Sequence, residues 1–480
     1  MSTINLYERA DLRISTLLLL SGLTVFGATI TVTNVNDSGG GSLRAAMTNA
    51  AAGDTINFQA GLKGTITLAA PLPVINQNLT ISGPGASVLA ISGNNQVRVL
   101  HIVFPGGLNI SGVTIENGIA PGSPLGDGFG GGGVLNLGGL NMTDCALLNN
   151  AAFRGGGIES QGGLQILNST LAGNSSTSDG GGIWSGGNGL TPILVMINST
   201  LAGNSANARG GAIFNGFSGV GGASSSVSVA YSTLSGNSAA GGSSGVQNSQ
   251  FNGPGSFSIV ATLLAHHGNG SNCGVGLIQS GGYNLSDDAS CNLFATGDIS
   301  NAPAGLDPAG LKENGGPTQT IALEATSPAV NAITGPLCTN LQGLAFDQRG
   351  VPRPQGPGCD IGAFELATAV NLSAAIVNKG PLSAGVRFYD LQITNHGPGD
   401  AAGISITQLP LSRLGGTGTV TNMTSLPINV GSLAAGASTT VRLTLGVPAT
   451  VTRLRIGENG TFQNGANQTA SFSLLQAVFP

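Results

Sequence analysis

The stretch that decides the fold is Asn168-Ser-Thr-Leu-Ala-Gly-Asn-Ser175, because it returns unchanged at residues 198–205. A relative, Tyr231-Ser-Thr-Leu-Ser-Gly-Asn-Ser238, follows it. Looser copies are Gly112-Val-Thr-Ile-Glu-Asn117, Asp144-Cys-Ala-Leu-Leu-Asn-Asn150 and Val260-Ala-Thr-Leu-Leu264. Aligned on threonine, the copies put Thr114, Ala146, Thr170, Thr200, Thr233 and Thr262 in one column. A second column is the aliphatic residue behind a glycine run: Val134, Ile158, Ile183, Ile213 and Val246, at intervals of 24, 25, 30 and 33 residues. Two columns that drift in step make each copy one turn of a repeating coil.

Composition selects the kind of coil. Glycine supplies 80 of 480 residues, which excludes stacked helices, since these segments are rich in Gly, Ser and Asn throughout. Hydrophobic residues still make up 40% and recur at fixed places, so the chain is not low-complexity disorder. The expected class is therefore all-β: a right-handed parallel β-helix in which each short strand pairs with its counterpart one turn away, about 4.8 Å distant. Asn150, Asn174, Asn204 and Asn237 then stack at one corner, and Asp144, Asn168 and Asn198 at another. Stacked amides can bond to one another and satisfy a buried bend, which makes both columns structural. A cap is expected where Ser42 precedes Leu-Arg-Ala-Ala-Met: a short helix over 42–51, between strands at 29–33 and 55–58.

Charged residues are only 8% and the net charge is −5, which leaves no basic footprint for nucleic acid. Arg9 and Arg13 precede an apolar run from Ile14 to Phe26, with Gly27 and Ala28 after it, the parts of a signal peptide over residues 1–27; Glu8 and Asp11 are atypical of one and leave a short membrane anchor as the alternative. No membrane span is expected in the mature chain. Of five cysteines, Cys273 with Cys291 and Cys338 with Cys359 are spaced to close loops in an oxidising compartment. Cys145 reads as a small buried hydrophobe.

Residues 36–47 (Asn-Asp-Ser-Gly-Gly-Gly-Ser-Leu-Arg-Ala-Ala-Met) resemble the entry segment of many bacterial surface β-helix proteins, with Gly41 and Ala45 where Cys and Glu are usual. The Gly-Gly-Gly-Ile and Asn-Ser-Thr-Leu-Ala-Gly-Asn repeats are similar to those of polymorphic outer-membrane proteins and related adhesins. Leu311-Lys-Glu-Asn-Gly-Gly-Pro-Thr-Gln-Thr-Ile-Ala-Leu323, Ser327-Pro-Ala-Val-Asn331, Asp347-Gln-Arg-Gly350 and Cys359-Asp-Ile-Gly-Ala-Phe-Glu365 resemble the choice-of-anchor module that closes surface β-helices. Asn331 stands where that module commonly has Asp. The resemblance implies architecture and is nearly silent on activity. Residues 367–480 alternate polar and apolar positions, as in Val386-Arg-Phe-Tyr-Asp-Leu-Gln-Ile393, and resemble an Ig-like β-sandwich. The expected domains are a β-helix over 28–300, a closing module over 301–366 and the sandwich over 367–480.

The register also points to a surface patch. Four residues before the aliphatic column stand Arg154, Asp179 and Arg209, a vertical row. One residue after it stand Leu135, Glu159, Trp184, Phe214 and Gln247, which strand alternation turns outward. Arg154, Glu159, Asp179, Trp184, Arg209 and Phe214 thus form a candidate glycan-binding face, or else a solvated ion-pair ladder with covered aromatics. No catalytic residue, metal site or cofactor is expected. His266 and His267 point to opposite faces of a strand, and Asp287-Asp288 suits a turn or a weak calcium loop. The expected function is a secreted or cell-surface, adhesin-like or structural β-helix with a polysaccharide or matrix ligand along its flank. The alternative is a polysaccharide lyase or glycoside hydrolase.

Overall fold

In the parallel sheets, glycine and asparagine corners cut the chain into strands of two to five residues, each too short to hold itself and each completed by the turn before and after. The computed structural model describes residues 27–120, 130–187, 192–216, 225–249, 255–265, 268, 270–274, 276–339, 344–367, 370–397, 399–464 and 469–480. The signal-like segment, apart from Gly27, and the pair His266–His267 lie outside these residues. The chain divides into two compact units.

In the first unit the chain passes repeatedly through a set of parallel sheets. One complete turn runs Gly139–Thr143 (first sheet), Ala146–Leu148 (second), Ala151–Ala152 (third) and Ile158–Ser160 (fourth). Among the described residues the first and second sheets hold ten strands each, the third five and the fourth six, all in chain order. Both sequence columns are real registers. Val134, Ile158, Ile183, Ile213 and Val246 are successive partners, as are Thr114, Ala146, Thr170, Thr200 and Thr233. The column corrects at its end: Leu263, not Thr262, follows Thr233. The corner sets this register. Asn168, Asn198, Tyr231 and Ala261 all hold positive φ (49°, 47°, 46° and 49°), each two residues before its strand position. Thr262 instead joins Ser169, Ser199 and Ser232, a column not anticipated from sequence, in which the Ser199 and Ser232 hydroxyls accept the main-chain N–H of the turn before. Cys145 heads that column, donating its N–H to Ser169 Oγ, and burial pushes its thiol up to about 12.

Alternate residues of the strands fill one continuous core, for example Leu140, Leu164, Leu194 and Val227 beside Ile158, Ile183 and Ile213. The helix Leu43–Asn49 plugs one end with Leu43 and Met47, and the Ser42 hydroxyl caps it by accepting the Ala45 N–H. The first asparagine column is a ladder: Asn150, Asn174 and Asn204 each donate Nδ2 to the next Oδ1 at 2.9 Å, ending on Asn237. Each main-chain N–H bonds to the same oxygen at 3.0 Å. The Asp144–Asn168–Asn198 column supplies the left-handed corner.

A closing segment returns along the threonine column. Leu306–Lys312 and Thr320–Leu323 form an antiparallel hairpin. Thr170 Oγ1 donates to the Gln319 carbonyl, and Gln348 bridges two turns, donating to Thr170 Oγ1 (2.9 Å) and accepting from Thr200 Oγ1 (2.6 Å). Thr233 Oγ1 accepts the Ala363 N–H at 3.0 Å. The motifs Pro-Thr-Gln-Thr and Asp-Gln-Arg-Gly therefore supply the residues that grip the stack. Cys273 and Cys291 form a disulfide, and Cys338 and Cys359 are also disulfide-bonded.

The second unit comprises two antiparallel sheets around one core. Leu372–Lys379, Val386–Asn395, Ser438–Gly446 and Thr421–Asn422 make one. Leu411–Gly416, Val451–Gln463, Ala401–Gln408, Ile428–Leu433 and Thr469–Val478 make the other. Glu458 is fully buried here, with neither carboxylate oxygen hydrogen-bonded, and burial pushes its carboxyl up to about 7.

Two outcomes follow. Asn204→Ala leaves the Asn174 main-chain and side-chain N–H groups without their acceptor and takes one donor each from the Asn237 Oδ1 and the Leu171 carbonyl, and should cost on the order of 3 kcal/mol in denaturant unfolding. Glu458 has a folded value raised above its unfolded value of about 4.3. Its stability contribution is therefore complete below that pH and lost as pH rises through about 7. Glu458→Gln should remove this decline, worth on the order of 3 kcal/mol, in melts of the whole chain run from acid to mildly alkaline pH.

Candidate functional site

The fourth sheet and the corner before it carry every residue of the predicted patch. Along the strands, His101, Leu135, Glu159, Trp184, Phe214 and Gln247 are successive partners. At the corner, the Gly155 N–H donates to the Asp179 carbonyl (3.1 Å) and the Gly180 N–H to the Arg209 carbonyl (2.9 Å), so Arg154, Asp179 and Arg209 do stand in a row. Glycine must follow each of them. Gly155, Gly180 and Gly210 hold φ of 58°, 69° and 66°, and a Cβ there would crowd the strand just beyond.

The side chains zip the two rows together. Arg154 Nη2 bonds Glu159 Oε1 at 2.6 Å, which also accepts Gln161 Nε2 at 2.9 Å. Arg209 grips Asp179 with Nε (2.9 Å) and Nη2 (3.0 Å). The Arg154 guanidinium lies 4.1 Å over the Trp184 ring and that of Arg209 lies 4.7 Å over Phe214.

The outward aromatic face expected from strand alternation is not open: Trp184 and Phe214 are only 2% and 3% exposed, and Glu159 1%. Two features cause this. Each ring folds onto a glycine at the next corner, Gly186 or Gly216, where any Cβ would strike it. Each ring's other face is taken by an arginine from the neighbouring row. Arg209 is the exposed member, with 40% of its side chain accessible, against 14% for Arg154 and Asp179.

Sequence reading missed two members. His101 heads the strand column, and Arg98 donates Nε and Nη2 to the carbonyls of Gly131 and Gly130. Burial pulls the Arg98 guanidinium below its ordinary value, and the Glu159 carboxylate opposes that. The glycine run that marks later turns is replaced there by Gln96-Val-Arg-Val, so the column could not be followed back. The Asp287-Asp288 pair serves a turn. Asp288 accepts from Ser290 N and Oγ, Ser286 Oγ and Asn272 N, bonds that hold its carboxyl low against the opposing effect of burial.

Comparison of the chain with protein-family models, curated proteins and solved structures finds no match. The chemistry of the face is therefore argued from its own geometry. Asp179 is held by Arg209 through both oxygens, Glu159 by Arg154 through Oε1 while its Oε2 is buried without a hydrogen bond, and both guanidinium planes are stacked on rings, so the face is a clasp across three turns with Arg209 as its exposed cation.

Removing either cation tests the clasp. Arg154→Met leaves the buried Glu159 carboxylate without its ion-pair partner and should cost on the order of 3 kcal/mol in denaturant unfolding. Arg209→Ala, at the exposed end, should cost under about 1 kcal/mol.

Proposed function

We propose that this chain is a secreted or cell-surface protein of structural, adhesin-like kind. In this reading the first unit is a right-handed parallel β-helix with polymorphic-outer-membrane-protein-like repeats, closed by a choice-of-anchor-like segment. The second unit is an Ig-like β-sandwich. The observation that carries the reading is the asparagine ladder and its companion columns: the polar corners are spent bonding turn to turn, as a scaffold requires. Two disulfides favour an oxidising compartment, and among the described residues no helix is long and apolar enough to cross a membrane. The ligand that suits the clasp is an acidic glycan, met along the flank by the accessible edge of Arg209. The carbohydrate-active alternative requires a carboxylate free to take or give a proton, and Glu159 and Asp179 are each tied to an arginine.

The full chain should bind acidic polysaccharides on a glycan array without shortening them, and Arg209→Ala should weaken that binding at least several-fold while leaving the melting temperature nearly unchanged. Chain scission of any polysaccharide would overturn the scaffold reading, and binding indifferent to Arg209 would remove the ligand from this flank.

A further inference from the structure

Thr469–Val478 forms the outer edge of its sheet. It pairs antiparallel with Val451–Gln463 from Gln463↔Thr469 to Leu454↔Val478, and among the described residues with no other strand. Leu372–Lys379 of the facing sheet runs beside it and reaches it through the Lys379 ammonium on the Phe479 carbonyl, at 2.8 Å.

Edge strands are ordinarily blunted by shortness, a charge, a proline or a bulge, because their unpaired N–H and C=O groups invite another strand. The strand's own sequence carries none of those devices. It is ten residues long, reads Thr-Ala-Ser-Phe-Ser-Leu-Leu-Gln-Ala-Val, and carries no charge, proline or glycine. Its ladder runs without a register shift, whereas the ladders from Val451–Gln463 to Ala401–Gln408 and Leu411–Gly416 are both interrupted. Thr469, Ser471, Ser473, Leu475 and Ala477 are exposed, and Leu475 is an exposed large hydrophobic at 61%. Ala470, Phe472, Leu474, Gln476 and Val478 are half-buried on the opposite face.

We propose that this edge pairs with the same edge of a second copy of the chain, antiparallel about a two-fold axis at Ser473. Self-pairing is what the residues favour. A two-fold at Ser473 sets Phe472 opposite Leu474 of the second copy and Leu474 opposite its Phe472. The half-buried apolar row, whose Phe472 already packs on the core, then continues across the junction. No charged pair meets anywhere along the ten residues, so the like-charge repulsion that normally forbids an isologous contact is missing. The strand equally lacks the charge pattern by which a different protein would be selected. Main-chain hydrogen bonds supply the attraction, on every second residue of each copy.

Sedimentation velocity on the full chain tests this. The wild type should form a dimer in a concentration-dependent way. Ser473→Lys and Ser473→Glu should each be monomeric, because the two-fold sets like charge against like at an exposed position, and at concentrations where the wild type is itself monomeric both should melt as it does. An equimolar mixture of the two variants should restore the dimer through the Lys–Glu pair. A wild type that stays monomeric throughout the series overturns the proposal. So does a Ser473→Lys chain that still dimerises, or a mixture that fails to recover.

Discussion

Every other feature of the first unit depends on main-chain pairing between successive turns. A parallel ladder ties each N–H to the carbonyl of the neighbouring turn and so fixes which residue lies above which. Once Val134, Ile158, Ile183, Ile213 and Val246 are partners, their neighbours have no freedom of register: Asn136, Ser160, Ser185, Asn215 and Asn248 must stack too. A core residue is thus packed by its own counterparts in the turns on either side, and extra length is absorbed between the strands. Turn lengths of 24 to 34 residues coexist with an unbroken register along this column for that reason.

The same constraint explains which parts were legible in the sequence. A corner needing positive φ writes Asn, Asp or Gly at a fixed distance from its strand, and a buried bend that must satisfy its amides writes Asn above Asn. Those signals give the turns, the register and the cap at Ser42. The slip at Thr262 shows the limit. Ala261 carries the corner's backbone angle without the residue type that advertises it, so the threonine looked aligned when its corner had moved by one.

The patch was legible in position and not in exposure. Alternation along a strand says which face a side chain leaves by; it does not say what lies over that face. Trp184 and Phe214 leave by the outer face and are then covered, because Gly186 and Gly216 give the rings room to lie down and the arginine row supplies a second wall. The closing segment was harder still. Its contacts with Thr170, Thr200 and Thr233 join residues more than a hundred positions apart, and no local period encodes them. The one local signal that could have announced them is the run Thr318-Gln319-Thr320, polar groups in need of partners.

Stacking like above like also accounts for the scarcity of charge. Two equal charges one turn apart, at about 4.8 Å, repel by about 3 kcal/mol at an effective dielectric of about 20. A column can therefore be amide, hydroxyl or aliphatic at no electrostatic cost, but a column of aspartates or arginines pays that repulsion at every step. The outward positions of the first sheet obey this, running Thr29, Thr55, Thr80, Asn109, Asn141 and Gln165 through successive strands. Where charge does enter the stack it alternates in sign, Arg154, Asp179, Arg209, and each cation is further spread over an aromatic face. The alternating row is therefore one form in which this architecture tolerates ionised side chains in successive turns. That is a sufficient reason for its existence before any ligand is considered, and it leaves the accessible edge of Arg209 as the part of the row on which stacking itself makes no claim.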